Sequence, residues 1–137
     1  MAGGGGPIGP RLLIVWHSRT GTARALAQCA ADGAALHGAA VEMLPARCAT
    51  VADLLRADGL IFAGPENLGT LSGEMKDMVD RCYYPLGDQL AGRPHGIIIA
   101  AGTDGDGAAR LWARIGAGWR LRAVADPIIA RTGADSP

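Results

Sequence analysis

Ser18, Thr20 and Thr22 alternate through the stretch HSRTGTAR (residues 17–24), with Gly21 between the two threonines. Three hydroxyls around a glycine, just before a run that can be helical, have the composition of a phosphate-binding loop. The hydroxyls donate, the glycine lets backbone approach an oxyanion, and a helix behind offers free N–H groups at a positive dipole end. The same residue types also make an ordinary helix cap without a ligand. The stretch is no Walker A loop, because no Gly-Lys-Ser/Thr follows, and it lacks the GxGxxG dinucleotide fingerprint. It holds no cysteine to attack a phosphate ester, and Trp16-His17-Ser18 leaves no acidic cluster for phosphoryl transfer.

Two further stretches carry groups able to meet a ligand. Pro65-Glu66-Asn67-Leu68-Gly69-Thr70 offers amide, carboxylate and backbone groups of the kind that read a flat polar ring edge. Gly102-Thr103-Asp104-Gly105-Asp106-Gly107 is acidic enough to suggest calcium but lacks the EF-hand spacing and the distal glutamate. It reads as a flexible wall for a bound ring, or as a turn with Asp106 as an N-cap.

The surrounding pattern positions these stretches at the ends of strands. RLLIVW (11–16), VEML (41–44), LIFAG (60–64), GIIIAA (96–101) and Ala123 to Ala130 read as strands. The apolar runs of the first, third and fourth fit burial on both faces, as a parallel sheet demands. Helical spacing predicts helices from Gly21 to about Leu36, through Val51, Leu54 and Leu55 after a Thr50 cap, from a Ser72 cap through Cys82, and from Ala108 to Gly116. Pro65 is expected to close the third strand, and Pro127 marks the fifth as an edge. Strand and helix alternate without a hairpin signal, which predicts an α/β, flavodoxin-like, doubly wound five-stranded parallel sheet of order 2-1-3-4-5. Ligands of such sheets sit beyond the carboxyl ends of the strands, where the strand order reverses. All three stretches fall there.

In that order the usual last helix is missing, so one face of the apolar third and fourth strands lacks a cover. An exposed apolar face of that kind predicts a homo-oligomer. Residues 1–10 read as a flexible Gly-rich lead-in, 11–130 as the domain and 131–137 as a C-terminal tail. MAGGGGPIGP has neither the basic nor the apolar region of a signal peptide, and no apolar stretch is long enough to span a bilayer. Acidic and basic residues balance at 13 each, which argues against nucleic-acid binding. Cys29, Cys48 and Cys82 show no CxxC spacing and no disulfide framework, so they read as buried thiols in a cytoplasmic protein. No metal site is expected.

The sequence resembles the flavodoxin-like NAD(P)H-dependent FMN reductase family. HSRTG after the first strand, ADGLIFAGPENLGTLSGEMKDMVDR around the third and the glycine-rich turn after the fourth carry the resemblance, from about Arg11 to Asp126. It implies non-covalent FMN, its phosphate held by Ser18, Arg19, Thr20, Gly21 and Thr22. Pro65, Glu66, Asn67, Leu68 and Gly69 would line the isoalloxazine, with Gly102, Thr103 and Asp104 on its far side. Ala23 departs from the family pattern, where a threonine is usual.

Neither PENLGT nor TDGDG carries an aromatic residue to sandwich the ring, as electron-carrying flavodoxins commonly do. A ring face left open suits stacking by a nicotinamide or a quinone. The expectation is an oxidoreductase with NAD(P)H as co-substrate and a quinone-like or flavin acceptor, its chemistry borne by the flavin and needing no protein acid or base. The alternatives are an electron carrier and a cofactor-free scaffold. Tyr83, Tyr84, Trp16, Trp112 and Trp119 read as packing residues, Arg110 and Arg114 as a solvated helix face, Asp80 and Arg81 as structural residues, and His17 as a turn residue.

Overall fold

The computed structural model describes residues 9–133. The expected lead-in, apart from Gly9 and Pro10, and tail residues 134–137 lie outside them.

Strand β1 (Arg11–Trp16) forms the middle of the sheet because its apolar side chains can be buried on both faces. It pairs in parallel with β2 (Ala40–Pro45) on one side and β3 (Gly59–Asn67) on the other. β3 pairs in parallel with β5 (Pro94–Ala101), and β5 carries both β6 (Arg122–Ala123) and β7 (Ile128–Arg131) along its outer edge. The path β2-β1-β3-β5-β6, with β7 continuing the last position, is the expected flavodoxin-like order.

Helix α1 (Thr22–Leu36) crosses one face of the sheet. Ala23, Ala27 and Ala31 form its buried stripe, with Ala27 and Ala31 packed among Ile14, Ala63 and Ile98. On the other face lie α2 (Val51–Arg56), α3 (Gly73–Leu86) and α4 (Asp106–Gly118). They enclose the larger core, in which Phe62 stacks on Trp112 at 4.7 Å between ring centroids and Trp119 is fully buried. Thr50 caps α2 through a capping box with Asp53. Arg81 binds the carbonyls of Ala46 and Ala49, which fixes the turn before α2.

Four expectations need correction. A short hairpin is present: β4 (Thr70–Leu71) folds back on Glu66 and Asn67. Pro65 does not close the third strand, because it lies in register with Ala100 and the strand runs on into that hairpin. The fifth strand is split, for Gly96 and Ile97 stand opposite Val124 to Pro127 and the longer side must bulge. Cys29 and Cys48 are exposed; Cys82 is buried, and burial pushes its thiol pKa up, leaving a packing residue.

Candidate functional site

The three loops follow β1, β3 and β5, which are neighbours in the sheet, so they emerge side by side along one edge. The first, Ser18 to Gly21, turns the chain from β1 into α1. Gly21 is the N-cap at φ 106°, a left-handed conformation that favours glycine, and the space a Cβ would fill there is empty. Its N–H donates to Ser18 Oγ at 3.0 Å, which closes the loop on itself.

Among the described residues no side chain caps α1, and its first turn contains no acidic residue. Ala25 N–H makes the first helical bond, to Gly21 O, so the amides ahead of it face the loop. Ala23 is buried against the sheet rather than turned to the loop edge, and Thr22 is half-buried beside it. Arg19 is exposed on the loop, and the Arg24 guanidinium lies 5.3 Å from the Trp16 ring centroid. An open helix N-terminus with flanking arginines and three nearby hydroxyls is electrostatically suited to an anion.

The other expected residues divide between structural and open positions. Pro65 is buried in the sheet. Both oxygens of the Glu66 carboxylate are engaged: Gly105 N–H donates to one at 2.9 Å and Ala108 N–H to the other at 3.0 Å. Glu66 therefore caps α4 from another element and joins the second loop to the third. Asn67 stands at the hairpin, half-buried. Leu68 and Gly69 form its two-residue turn, both with positive φ (52° and 74°), and the Leu68 side chain is wholly exposed. Gly102 is half-buried, while Thr103 and Asp104 are exposed. Asp104 accepts from Asp106 N–H, and its carbonyl accepts from Arg131. Asp106 is the first residue of α4 rather than its cap, which is Gly105.

A pairing that reading by sequence missed ties the first loop to α3. His17 Nδ1 lies 2.8 Å from Ser72 Oγ, and its Nε2 lies 3.6 Å from a Glu74 carboxylate oxygen. Fifty-five residues separate His17 from Ser72, and no local spacing signals such a contact. Tyr83 packs on Trp119 and Arg110 and Arg114 are solvated, as expected, whereas Tyr84, expected to pack, is exposed.

Residues 45–128, more than half of the chain, match the family described as NADPH-dependent FMN reductase. The chain belongs to that family. Among curated relatives, a flavodoxin from Aquifex aeolicus is 33% identical over 84 residues, which cover 61% of this chain and 45% of that protein. A probable NAD(P)H dehydrogenase (quinone), FQR1-like 2 of Arabidopsis thaliana, is 37% identical over 59 residues, covering 42% of this chain and 22% of that protein. The match therefore spans less than half the length of either relative. Among solved structures, the Streptococcus pneumonia TIGR4 flavodoxin superposes with a TM-score of 0.73 at 24% identity, over 92% of this chain and 85% of that one. The flavodiiron protein from Giardia intestinalis gives a TM-score of 0.76 at 17% identity, over 88% of this chain and 30% of that one. Both likenesses speak for the flavodoxin-like fold. Among the described residues no helix is long and apolar enough to cross a membrane.

Proposed function

We propose that this FMN reductase family member binds FMN with its phosphate in the Ser18–Thr22 loop and acts as an NAD(P)H-dependent oxidoreductase. The observation that carries the reading is the contrast between two helix N-termini at the same sheet edge. That of α4 is filled by the chain's own carboxylate, Glu66, whereas that of α1 is left uncapped among the described residues, next to Ser18, Thr20 and Thr22 in the chain. A phosphate dianion fits the second. The isoalloxazine would extend toward Asn67, Leu68 and Gly69 on one side and Gly102, Thr103 and Asp104 on the other.

Bound there, FMN would supply the two-electron redox chemistry between NAD(P)H and a quinone-like or flavin acceptor. The chain's part is to orient the ring and leave one face accessible, and no aromatic side chain stands in either ring loop to cover it. The 33% identity to a flavodoxin favours the electron carrier as a second reading.

Titration of the purified protein with FMN and with riboflavin, followed by flavin fluorescence, tests the cofactor. Tight FMN binding with much weaker riboflavin binding is expected, and binding of neither sinks both flavin readings. NAD(P)H oxidation with a quinone then separates reductase from carrier. We further propose a homo-oligomer working in the cytoplasm. On the α1 side, an apolar groove of about 300 Å³ lies open over Gly59, Ile61, Gly96 and Ile98, rimmed by exposed Val124 and Ile128. A second copy of the chain is the proposed cover.

A further inference from the structure

We propose that His17 is a positioning residue that sets the phosphate-binding loop through Ser72, and so determines preference for a phosphorylated flavin; the ligand half of this inference rests on the FMN reading above.

Ser72 occupies the N-cap position of α3 in an extended conformation, with φ −63° and ψ 154°. Serine there ordinarily accepts a hydrogen bond from the first turn of its own helix. This one makes no such bond. It is 1% exposed, and its hydroxyl is directed instead at His17 Nδ1, 2.8 Å away. A capping residue has been diverted to hold a histidine.

The histidine is held at further points. Its backbone N–H donates to Ala63 O at 3.0 Å, extending the β1–β3 ladder one residue beyond β1. Its Nε2 faces the Glu74 carboxylate at 3.6 Å, which favours the proton on Nε2 and leaves Nδ1 to accept the Ser72 hydroxyl proton. Glu74 on α3 is the charged group that faces the imidazole, and the exposed Arg19 lies two residues further along the loop. The next residue, Ser18, is the one whose hydroxyl closes the loop on Gly21 N–H. The direction in which the chain leaves β1, and hence where the loop hydroxyls and α1 amides converge, is therefore fixed from α3. A phosphate senses that convergence; the ring of riboflavin does not.

The experiment compares wild type, His17→Leu, His17→Asn and Ser72→Ala by FMN and riboflavin titration, together with amide hydrogen exchange of residues 17–21 in the flavin-free protein. An asparagine oxygen can replace Nδ1 as the acceptor. Loss of one buried hydrogen bond predicts about a tenfold drop in FMN affinity for His17→Leu and Ser72→Ala, with riboflavin affinity unchanged. His17→Asn should stay within about twofold of wild type, and the Leu/Ala double variant should be no worse than His17→Leu, as for partners in a single interaction. An unchanged FMN-to-riboflavin ratio in the Leu and Ala variants overturns the proposal, as does an Asn variant as weak as the Leu variant. If wild type binds neither flavin, the cofactor reading has failed and exchange alone decides. Faster exchange at 17–21 in the Leu and Ala variants but not in Asn then supports the latch, and equal exchange overturns it. Ser72→Ala removes a single hydroxyl and keeps the test available if His17→Leu does not fold.

Discussion

Glu66 illustrates how a residue with the right chemistry for a ligand can be claimed by the fold. A carboxylate in a loop after a strand reads as a ligand-facing group, yet here both oxygens accept backbone N–H bonds from Gly105 and Ala108. Hydrogen bonds to a charged acceptor are stronger than neutral ones, and Glu66→Gln turns one acceptor into a donor facing an N–H. We expect Glu66→Gln to cost about 1–3 kcal/mol in urea denaturation, with faster hydrogen exchange at residues 102–105. Unchanged stability would show that the bonds contribute nothing net. His95 makes a second case at this scale. It is 7% exposed, its Nδ1 has no hydrogen-bond partner of normal geometry among the described residues, and burial, outweighing the Arg122 backbone, lowers its pKa below the usual 6.5. The unfolded chain then binds a proton that the folded chain resists, so the stability tied to a neutral His95 is present above pH 6.5 and is lost as pH falls through the lowered folded value. Wild type should therefore lose stability between pH 7 and pH 5 more steeply than His95→Leu. Parallel urea midpoints across that range would refute it.

The strands of a parallel sheet announce themselves as apolar runs because burial on both faces leaves no room for alternation, and α1 was legible as a helix between flanking glycines but not in the face it buries: Ala25 and Cys29, at the expected spacing, are exposed, and Ala23, Ala27 and Ala31 are buried instead. What escaped reading belongs to elements shaped by distant partners. The β3–β4 turn uses Leu68-Gly69 where Asn-Gly or Asp-Gly is the usual signal, so a tight hairpin was hidden behind an unfavourable residue. The gap between β6 and β7 arises from a mismatch in length against β5, which appears only once the register is known. Likewise the placing of the three loops side by side at one sheet edge was legible from topology, whereas the Glu66 cap and the His17–Ser72 contact join parts of the chain with no fixed spacing. The hairpin predicts a gain: a leucine at φ 52° pays a steric penalty that glycine avoids. Leu68→Gly should raise stability by about 1 kcal/mol, less whatever glycine regains in unfolded-state freedom, and a drop would show that Leu68 is held by contacts its full exposure does not suggest. Gly107→Ala should act oppositely, since a Cβ there would stand 1.9 Å from Gly69 O and force α4 off the hairpin. A loss of about 1–3 kcal/mol is expected from such overpacking, read by thermal or urea unfolding.

At the scale of the whole molecule, the described residues give one closed face and one that is half open. α2, α3 and α4 cover one side of the sheet completely enough to bury Phe62 and Trp119, whereas among the described residues α1 alone serves the other and leaves the groove at Gly59, Ile61, Gly96 and Ile98. The groove is apolar and its rim residues Val124 and Ile128 are 58% and 59% exposed, a combination that favours association over solvation. It also lies around the beginning of β3 and β5, Gly59 and Pro94 among its lining, away from the loops at their carboxyl ends. Association through this face and flavin binding should therefore separate. Replacing both rim residues, Val124→Lys with Ile128→Lys, places two like charges where two copies would meet and leaves every loop residue of the site in place. Light scattering should report an oligomer for the wild type and a monomer for the double variant, with the same FMN affinity in both. A monomeric wild type would remove the second copy as the cover of this face. An oligomer that survives the two lysines would move the interface elsewhere on the molecule, and a parallel loss of FMN affinity would tie the cofactor loops to an assembly from which the sheet geometry separates them.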